Sequence, residues 1–226
     1  MDRLRSPGGC PWDAEQTHES LVPYAVEEVA EVVEAVETGD RGALREELGD
    51  LLLQVVFHAR VAEDHPEDPF DIDDVARGIA DKLRRRHPHV FGDVTVTGAA
   101  EVHRNWEAIK QAEKRRASVV DGIPPALSAL ARAQKVLGRL HRAGLPVPSP
   151  DDAAAGPGSA DGAPVEAPGR PAAVGADVLG ARLLALVVEA EATGVDAEQA
   201  LRAAVRQLEA LVREREDRGD VAAPPG

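Results

Sequence analysis

The chain has 226 residues, and its 40 acidic against 26 basic side chains give a net charge of −14 at pH 7. So acidic a chain excludes the nucleic-acid backbone as the main partner, because like charges repel. The single cysteine excludes an intrachain disulfide and a cysteine-based zinc site. No apolar run approaches the roughly 20 residues of a membrane helix, and the first residues lack an apolar signal segment. We expect a cytoplasmic protein that binds neither membrane nor nucleic acid.

The apolar periodicity predicts two long helices in residues 23–62. Pro23 suits the first turn of a helix that runs to about Thr38 and ends at Gly39. A second helix is predicted to begin near Gly42. The inner face of the first is predicted to carry Val26, Val29, Ala30, Val33 and Val36, and that of the second Leu44, Leu48, Leu51, Leu52, Val55, Val56 and Ala59.

A third helix is predicted to begin at Asp71 or Asp73, which are suitable N-caps, and to end before Pro88. Residues 87–98 are predicted to form a loop, since the only strand signal, VTVT, is too short to found a sheet. Helical periodicity then returns in four segments: 99–116, 125–144, 176–194 and 197–216. The sequence therefore predicts an all-α, antiparallel helical bundle.

One internal segment differs from the rest in composition. Residues 146–173 are rich in Pro and Gly and show no apolar periodicity, which predicts a disordered linker, and the tail 219–226 is read in the same way. The predicted organisation is a catalytic module (1–120), a helix that begins a second module (121–145), the linker, and two further helices (174–218).

Residues 27–50 hold nine carboxylates against two arginines, a local charge of −7. A solvated helix face is one explanation. The spacing favours another, because Glu28 and Glu31 are three residues apart on one helix, as are Glu47 and Asp50 on the next. Four carboxylates converging between antiparallel helices would repel one another unless a cation neutralised them. An all-oxygen set suits Mg²⁺ or Mn²⁺ better than zinc.

Cationic and aromatic residues follow the acidic segment. Lys82 and Arg86 are four residues apart and share a helix face, whereas Arg84 and Arg85 are predicted to be solvated. Trp106 and Lys110 form a second pair with this spacing. A structural role in the core is the alternative for Trp106. Together, acids, cations and tryptophan indicate a ligand that carries phosphate and a base.

These features occur in an ordered series: CPWDAEQTHESL (10–21), EEVAE (27–31), ELGD (47–50), KLRRRHPHVFGD (82–93) and NWEAIK (105–110). The series resembles the MazG-type nucleoside triphosphate pyrophosphohydrolases, whose pattern is EExxE, a spacer and ExxD. Here 15 residues separate Glu31 from Glu47. The resemblance extends over residues 8–116 and continues into DGIPPALSALARAQKV.

The resemblance implies an all-α, Mg²⁺-dependent enzyme, with Mn²⁺ as the alternative cation, that hydrolyses nucleoside triphosphates to the monophosphate and pyrophosphate. It also implies a role in cleaning the nucleotide pool and assembly into a homodimer or a larger homo-oligomer. Roles are implied for nine residues: Glu28, Glu31, Glu47 and Asp50 as metal ligands, Glu27 as the remaining catalytic acid, Lys82 and Arg86 as phosphate-binding cations, and Trp106 and Lys110 as residues that close over the nucleotide.

The second half resembles a degenerate copy of the first. Residues 48–53 align with 179–184, and residues 71–86 align with 196–211. Every site residue is lost in this alignment: Glu47 becomes Val178, Asp50 becomes Ala181, Lys82 becomes Gln207 and Arg86 becomes Leu211. We interpret the second half as catalytically inactive and used for packing or assembly. Two unrelated amphipathic helices are the alternative.

Two other functions remain open at this level. A pyrophosphatase restricted to one pyrimidine or modified deoxynucleotide would use the same carboxylates. A non-enzymatic, acidic helical binding module would suit the degenerate second half but leaves the intact set in the first half unexplained. Pyrophosphate release from a nucleotide panel, with and without Mg²⁺, separates these functions.

Overall fold

The computed structural model describes residues 1–99, 101, 102, 105, 106, 109, 113, 117–147 and 175–218. This part of the chain is helical and contains no strand, which confirms the predicted all-α class. None of its helices is long and apolar enough to cross a bilayer. Its helices, in chain order, are α1 (Asp2–Arg5), α2 (Pro11–Glu15), α3 (His18–Thr38), α4 (Arg41–Ala62), α5 (Ile72–Arg86), α6 (Pro88–Phe91), α7 (Ala129–Arg142), α8 (Ala176–Thr193) and α9 (Ala197–Asp217).

The chain divides into two compact units, Met1–Lys114 and Arg115–Gly226. The first is built on the antiparallel pair α3 and α4, whose connection is only two residues long. Gly39 ends α3 in the left-handed region, at φ 75°, where glycine has no steric cost. Asp40 then caps α4, because its side chain accepts hydrogen bonds from the backbone N–H groups of Gly42 and Ala43.

Helix α3 begins at His18, five residues before the predicted start at Pro23, so that prediction is wrong. The reason is a capping box: the Thr17 side chain accepts a hydrogen bond from the backbone of Ser20, and the Ser20 side chain accepts one from the backbone of Thr17. Pro23 lies inside the helix. The predicted loop at 87–98 likewise contains the short helix α6, while the third helix begins after Asp71, as predicted.

The faces that α3 and α4 turn toward each other are shifted from the predicted ones. On α3, Leu21 and Ala35 are buried, whereas Val26 of the predicted inner face is 65% exposed. On α4, Ala59 of the predicted inner face is buried, as are Gln54 and Phe57, whereas Leu52 is 60% exposed. On α4 the buried Gln54 continues the helical spacing of the polar Glu47 and Asp50, so apolar periodicity alone does not predict which face is buried. Exposed members of the predicted faces are Val26, Val29 and Val36 on α3 and Leu48, Leu52 and Val55 on α4.

The N-terminal segment is fixed to this pair through Arg5, whose side chain is only 7% exposed. Its guanidinium donates to the backbone oxygens of Asp13 and Gln16, at 2.6 and 3.0 Å, and lies over the ring of Phe57. Trp12 packs edge-on against the same ring. Aromatic and cationic contacts therefore hold α1 and α2 against one end of the pair.

In the second unit, α7 packs against α8 and α9. Gln134 of α7 fixes the α8–α9 connection, since its side chain donates to the oxygen of Val195 and accepts from the backbone N–H of Ala197. The predicted helices in 125–144, 176–194 and 197–216 are thus present. Residues 148–173 of the predicted linker, and the predicted tail, lie outside the described residues.

Candidate functional site

Three carboxylates meet between α3 and α4. One oxygen of each of Glu28, Glu47 and Asp50 lies within 4.8 Å of the other two. Glu28 is on the face of α3 that carries the buried Leu21 and Ala35, seven residues from each, so it points toward α4. All three side chains are half-buried. The antiparallel pair therefore places acids from two helices at one point, as the spacing predicts.

The charge of Glu28 is unfavourable in this position. Burial raises the pKa of Glu28, and the neighbouring negative charges of Asp50, Glu31 and Glu27 raise it further. A hydrogen bond with the side chain of Gln54 acts in the opposite direction. The folded protein thus concentrates negative charge here, and the charged groups that shift the pKa of Glu28 are all acidic.

Glu31 belongs to the same electrostatic group although its side chain is exposed and outside the three-carboxylate cluster. Burial raises the pKa of Glu47, as do the charges of Glu31, Glu46 and Asp50 and a side-chain hydrogen bond with Glu31. Glu27 is exposed and acts on Glu28 through its charge. The structure thus brings together the four predicted ligands, three closely and the fourth beside Glu47.

The donor set fits a hard divalent cation. Carboxylate oxygens within 4.8 Å of one another are near enough to share an ion that binds oxygen at about 2.0–2.6 Å. A bound cation would relieve the repulsion that raises the pKa of Glu28 and Glu47. No His or Cys belongs to the cluster, so all of its ligand atoms are carboxylate oxygens.

The predicted cations differ in their surroundings. Lys82 is exposed on α5, without an ion-pair partner among the described residues. Arg86 has a side chain only 10% exposed, and it forms a close ion pair with Glu113, which the sequence does not predict. Trp106 is half-buried. Lys110 lies outside the described residues.

Gln54 and the pair His18–His58 were not among the predicted site residues. Gln54 follows Asp50 by four residues, so the helical spacing that joins Glu47 to Asp50 extends to it. The rings of His18 and His58 stack with their centroids 5.2 Å apart, and their Nδ1 atoms are 2.9 Å apart. One ring must donate and the other accept, so this contact requires at least one Nδ1 atom without a proton.

This histidine contact predicts a loss of stability in acid. Burial lowers the pKa of His58, and the charge of His18 lowers it further. The unfolded chain, with a histidine pKa of about 6.5, therefore binds the proton more readily than the folded protein. The stability that depends on neutral His58 is fully present above the unfolded pKa of about 6.5. It is lost progressively as the pH falls below that value toward the lower pKa of the folded protein. We expect the urea midpoint to fall between pH 7.5 and 5.5, and His58→Phe to reduce this fall.

Tryptophan fluorescence is a suitable probe, because Trp12 and Trp106 both belong to the first unit. The control is His141→Gln, which changes an exposed histidine of α7. It should leave the pH dependence as in the unmodified protein. A fall as large in His58→Phe as in the unmodified protein would show that this histidine is not responsible.

The fold and this site define a class: an α-helical protein with a carboxylate centre suited to a divalent cation. Residues 16–91 match the model of the MazG nucleotide pyrophosphohydrolase domain. A protein of Streptomyces cacaoi, described as an uncharacterized 26.1 kDa protein in the blaB 3' region, is 48% identical over 214 residues. The match covers 94% of this chain and 78% of that protein. The chain therefore belongs to the MazG nucleotide pyrophosphohydrolase family.

Two further relatives are named nucleoside triphosphate pyrophosphohydrolase. The protein of Escherichia coli K12 is 48% identical over 149 residues, which is 64% of this chain and 56% of the relative. That of Mycolicibacterium smegmatis is 50% identical over 149 residues, or 65% of this chain and 45% of the relative. The chain thus spans about half the length of these two. A crystal structure of a MazG-related protein from Thermotoga maritima is 28% identical, with a TM-score of 0.40, and the match covers 49% of this chain and 99% of that one.

Proposed function

We propose that this protein hydrolyses nucleoside triphosphates to the nucleoside monophosphate and pyrophosphate, with a divalent cation held by Glu28, Glu31, Glu47 and Asp50. The observation that carries the proposal is the convergence of Glu28, Glu47 and Asp50 to within 4.8 Å. The named activity of the relatives from E. coli and M. smegmatis supports it. Mg²⁺ is the expected ion, with Mn²⁺ as the alternative, and the physiological role is removal of unwanted triphosphates from the nucleotide pool.

The chain's own residues have distinct tasks in this reaction. A bound cation supplies Lewis-acid polarisation of a phosphate oxygen and neutralises charge. Glu27, beside Glu28, is the candidate acid for accepting the proton of the attacking water. Lys82 and Arg86 bind the phosphates and compensate the charge of the leaving pyrophosphate. Trp106 and Lys110 close over the nucleotide.

The direct test is pyrophosphate release from a panel of ribonucleoside and deoxynucleoside triphosphates, with Mg²⁺, with Mn²⁺ and with a chelator. We expect release that requires the cation and yields the monophosphate. Hydrolysis of a single deoxynucleotide would define the narrower pyrophosphatase. Binding of triphosphate without any release would instead define a binding module and contradict the proposal.

We further propose that the protein assembles into a homodimer or larger homo-oligomer through the valine stripe of α3. Val22, Val26, Val29 and Val36 are between 49% and 65% exposed and lie at helical spacing along one face of α3, which makes a continuous apolar surface. Val26→Asp should lower the mass measured by light scattering, because a charge would be desolvated in the interface. Val94→Asp, in the loop after α6, is the matched control and should leave the mass unchanged. An unaltered mass for Val26→Asp would exclude this face.

The second unit is proposed to contribute no catalytic group. Helices α8 and α9 are present, but among the described residues the carboxylates that lie close enough together to share a metal ion, Glu28, Glu47 and Asp50, are all in the first unit. We expect a fragment ending at Lys114 to retain cation-dependent release, whereas residues 115–226 alone should release no pyrophosphate. This boundary keeps α7 with the helices it packs against. Activity found only in the C-terminal fragment would show that the site is not in the first unit.

A further inference from the structure

The end of α5 carries three consecutive arginines whose environments differ sharply. The side chains of Arg84 and Arg85 are 65% and 61% exposed, whereas that of Arg86 is 10% exposed. Arg84 pairs with Asp81 of its own helix at 3.2 Å, as a solvated surface cation does. Arg86 instead pairs with Glu113, 27 residues further along the chain.

The contact between Arg86 and Glu113 uses one edge of the guanidinium. Both Nε and Nη2 of Arg86 donate to Oε2 of Glu113, at 3.0 and 2.6 Å. The other carboxylate oxygen, Oε1, lies 3.6 Å from Nε of Arg85. Glu113 is therefore held between two arginines. Its negative charge is well stabilised there, because the hydrogen bonds from Arg86 lower the pKa of Glu113.

This arrangement leaves donors of Arg86 available. A guanidinium has five N–H donors, of which Glu113 takes two, and among the described residues no acceptor is bonded to Nη1. The edge formed by Nη1 and Nη2 has the fork geometry that binds two phosphate oxygens. A guanidinium already fixed along one edge loses less rotational freedom when a phosphate binds the other.

We propose that Glu113 is a positioning residue, which holds Arg86 by its Nε–Nη2 edge so that the remaining edge is presented to the phosphates of the substrate. This inference rests on the proposed function through the role given to Arg86. A positioning residue and a simple counter-ion predict opposite effects on phosphate binding when Glu113 is removed. A counter-ion that phosphate must displace would weaken binding, and its removal would tighten it.

The test measures kcat and KM of the full-length protein with the triphosphate that it hydrolyses fastest. Glu113→Ala should lower kcat/KM about tenfold, mainly through KM, since the freed guanidinium must be ordered during binding. Glu113→Gln keeps one oxygen acceptor and should recover part of the loss. In an Arg86→Ala background, Glu113→Ala should cause no further loss, because the two residues act as one unit. Arg84→Ala is the control and should change kcat/KM less than about twofold.

A second readout separates this inference from the proposed function. Binding of inorganic pyrophosphate with Mg²⁺, measured by calorimetry, should weaken about tenfold in Glu113→Ala and partly recover in Glu113→Gln. Suppose that the variants show these changes in pyrophosphate binding but the unmodified protein hydrolyses no triphosphate. This result would overturn the proposed function and leave the positioning role supported. Tighter or unchanged binding in Glu113→Ala, or an additive loss in the Arg86→Ala background, would overturn the positioning role.

Discussion

Replacement of Asp50 by asparagine is expected to abolish cation-dependent pyrophosphate release while the helical content stays unchanged. A neutral amide has nearly the shape of the carboxylate but lacks the charge that binds a hard cation. An ion held at this centre would stabilise the transition state by several kcal/mol, and each 1.4 kcal/mol is about tenfold in rate. We therefore expect a loss of at least about 100-fold in kcat/KM.

Stability provides an independent measurement on the same variant. Without a cation, Asp50→Asn should unfold no earlier than the unmodified protein, because it removes one charge that repels Glu28 and Glu47. The rise in melting temperature that Mg²⁺ or Mn²⁺ produces should shrink. The control is Glu34→Gln, an exposed carboxylate of α3 outside the cluster. Full activity and an unchanged cation response in Asp50→Asn would overturn the site assignment.

The effect on kcat/KM of replacing each cationic side chain of α5 should depend on the helix face that carries it, not on its charge alone. Lys82→Ala is expected to lower kcat/KM about tenfold, and Arg86→Ala at least as much, because these two share a face and are assigned to the phosphates. Arg84→Ala should have an effect below about twofold, since Arg84 pairs with Asp81 in an exposed position.

Added salt sharpens this comparison. The effect of Lys82→Ala should diminish at high ionic strength, because the exposed charge of Lys82 is screened by salt. The charge of Arg86, whose side chain is only 10% exposed, is screened less. Equal losses at positions 82, 84 and 86 would mean that the arginines and the lysine act only as a diffuse basic surface.

The carboxylate centre is the part of the site that sequence predicts best. Glu28 and Glu31, and Glu47 and Asp50, are pairs with helical spacing, and a connection as short as Gly39–Asp40 forces the two helices to run antiparallel. The two acidic pairs then lie at similar distances from the connection, and they meet when the faces that carry them are packed together. Gln54 continues the same spacing and could have been included from the sequence.

Other features are beyond the reach of local pattern. Val26 and Leu52 belong to apolar stripes that the periodicity assigns to the interior, but both are exposed, whereas the polar Gln54 is buried. The environment of Arg86 is decided by Glu113, a residue too distant along the chain to be read from helical spacing. His18 and His58, forty residues apart, meet for the same reason.

The sequence by itself determines the helical class, the approximate positions of the long helices and the family of this protein, because periodicity and motif order are local properties. Only the tertiary structure decides which face of each helix is buried. It also decides which one of three consecutive arginines is held by a distant carboxylate. These outcomes depend on contacts between segments far apart in the chain, which the sequence pattern of a single helix does not predict.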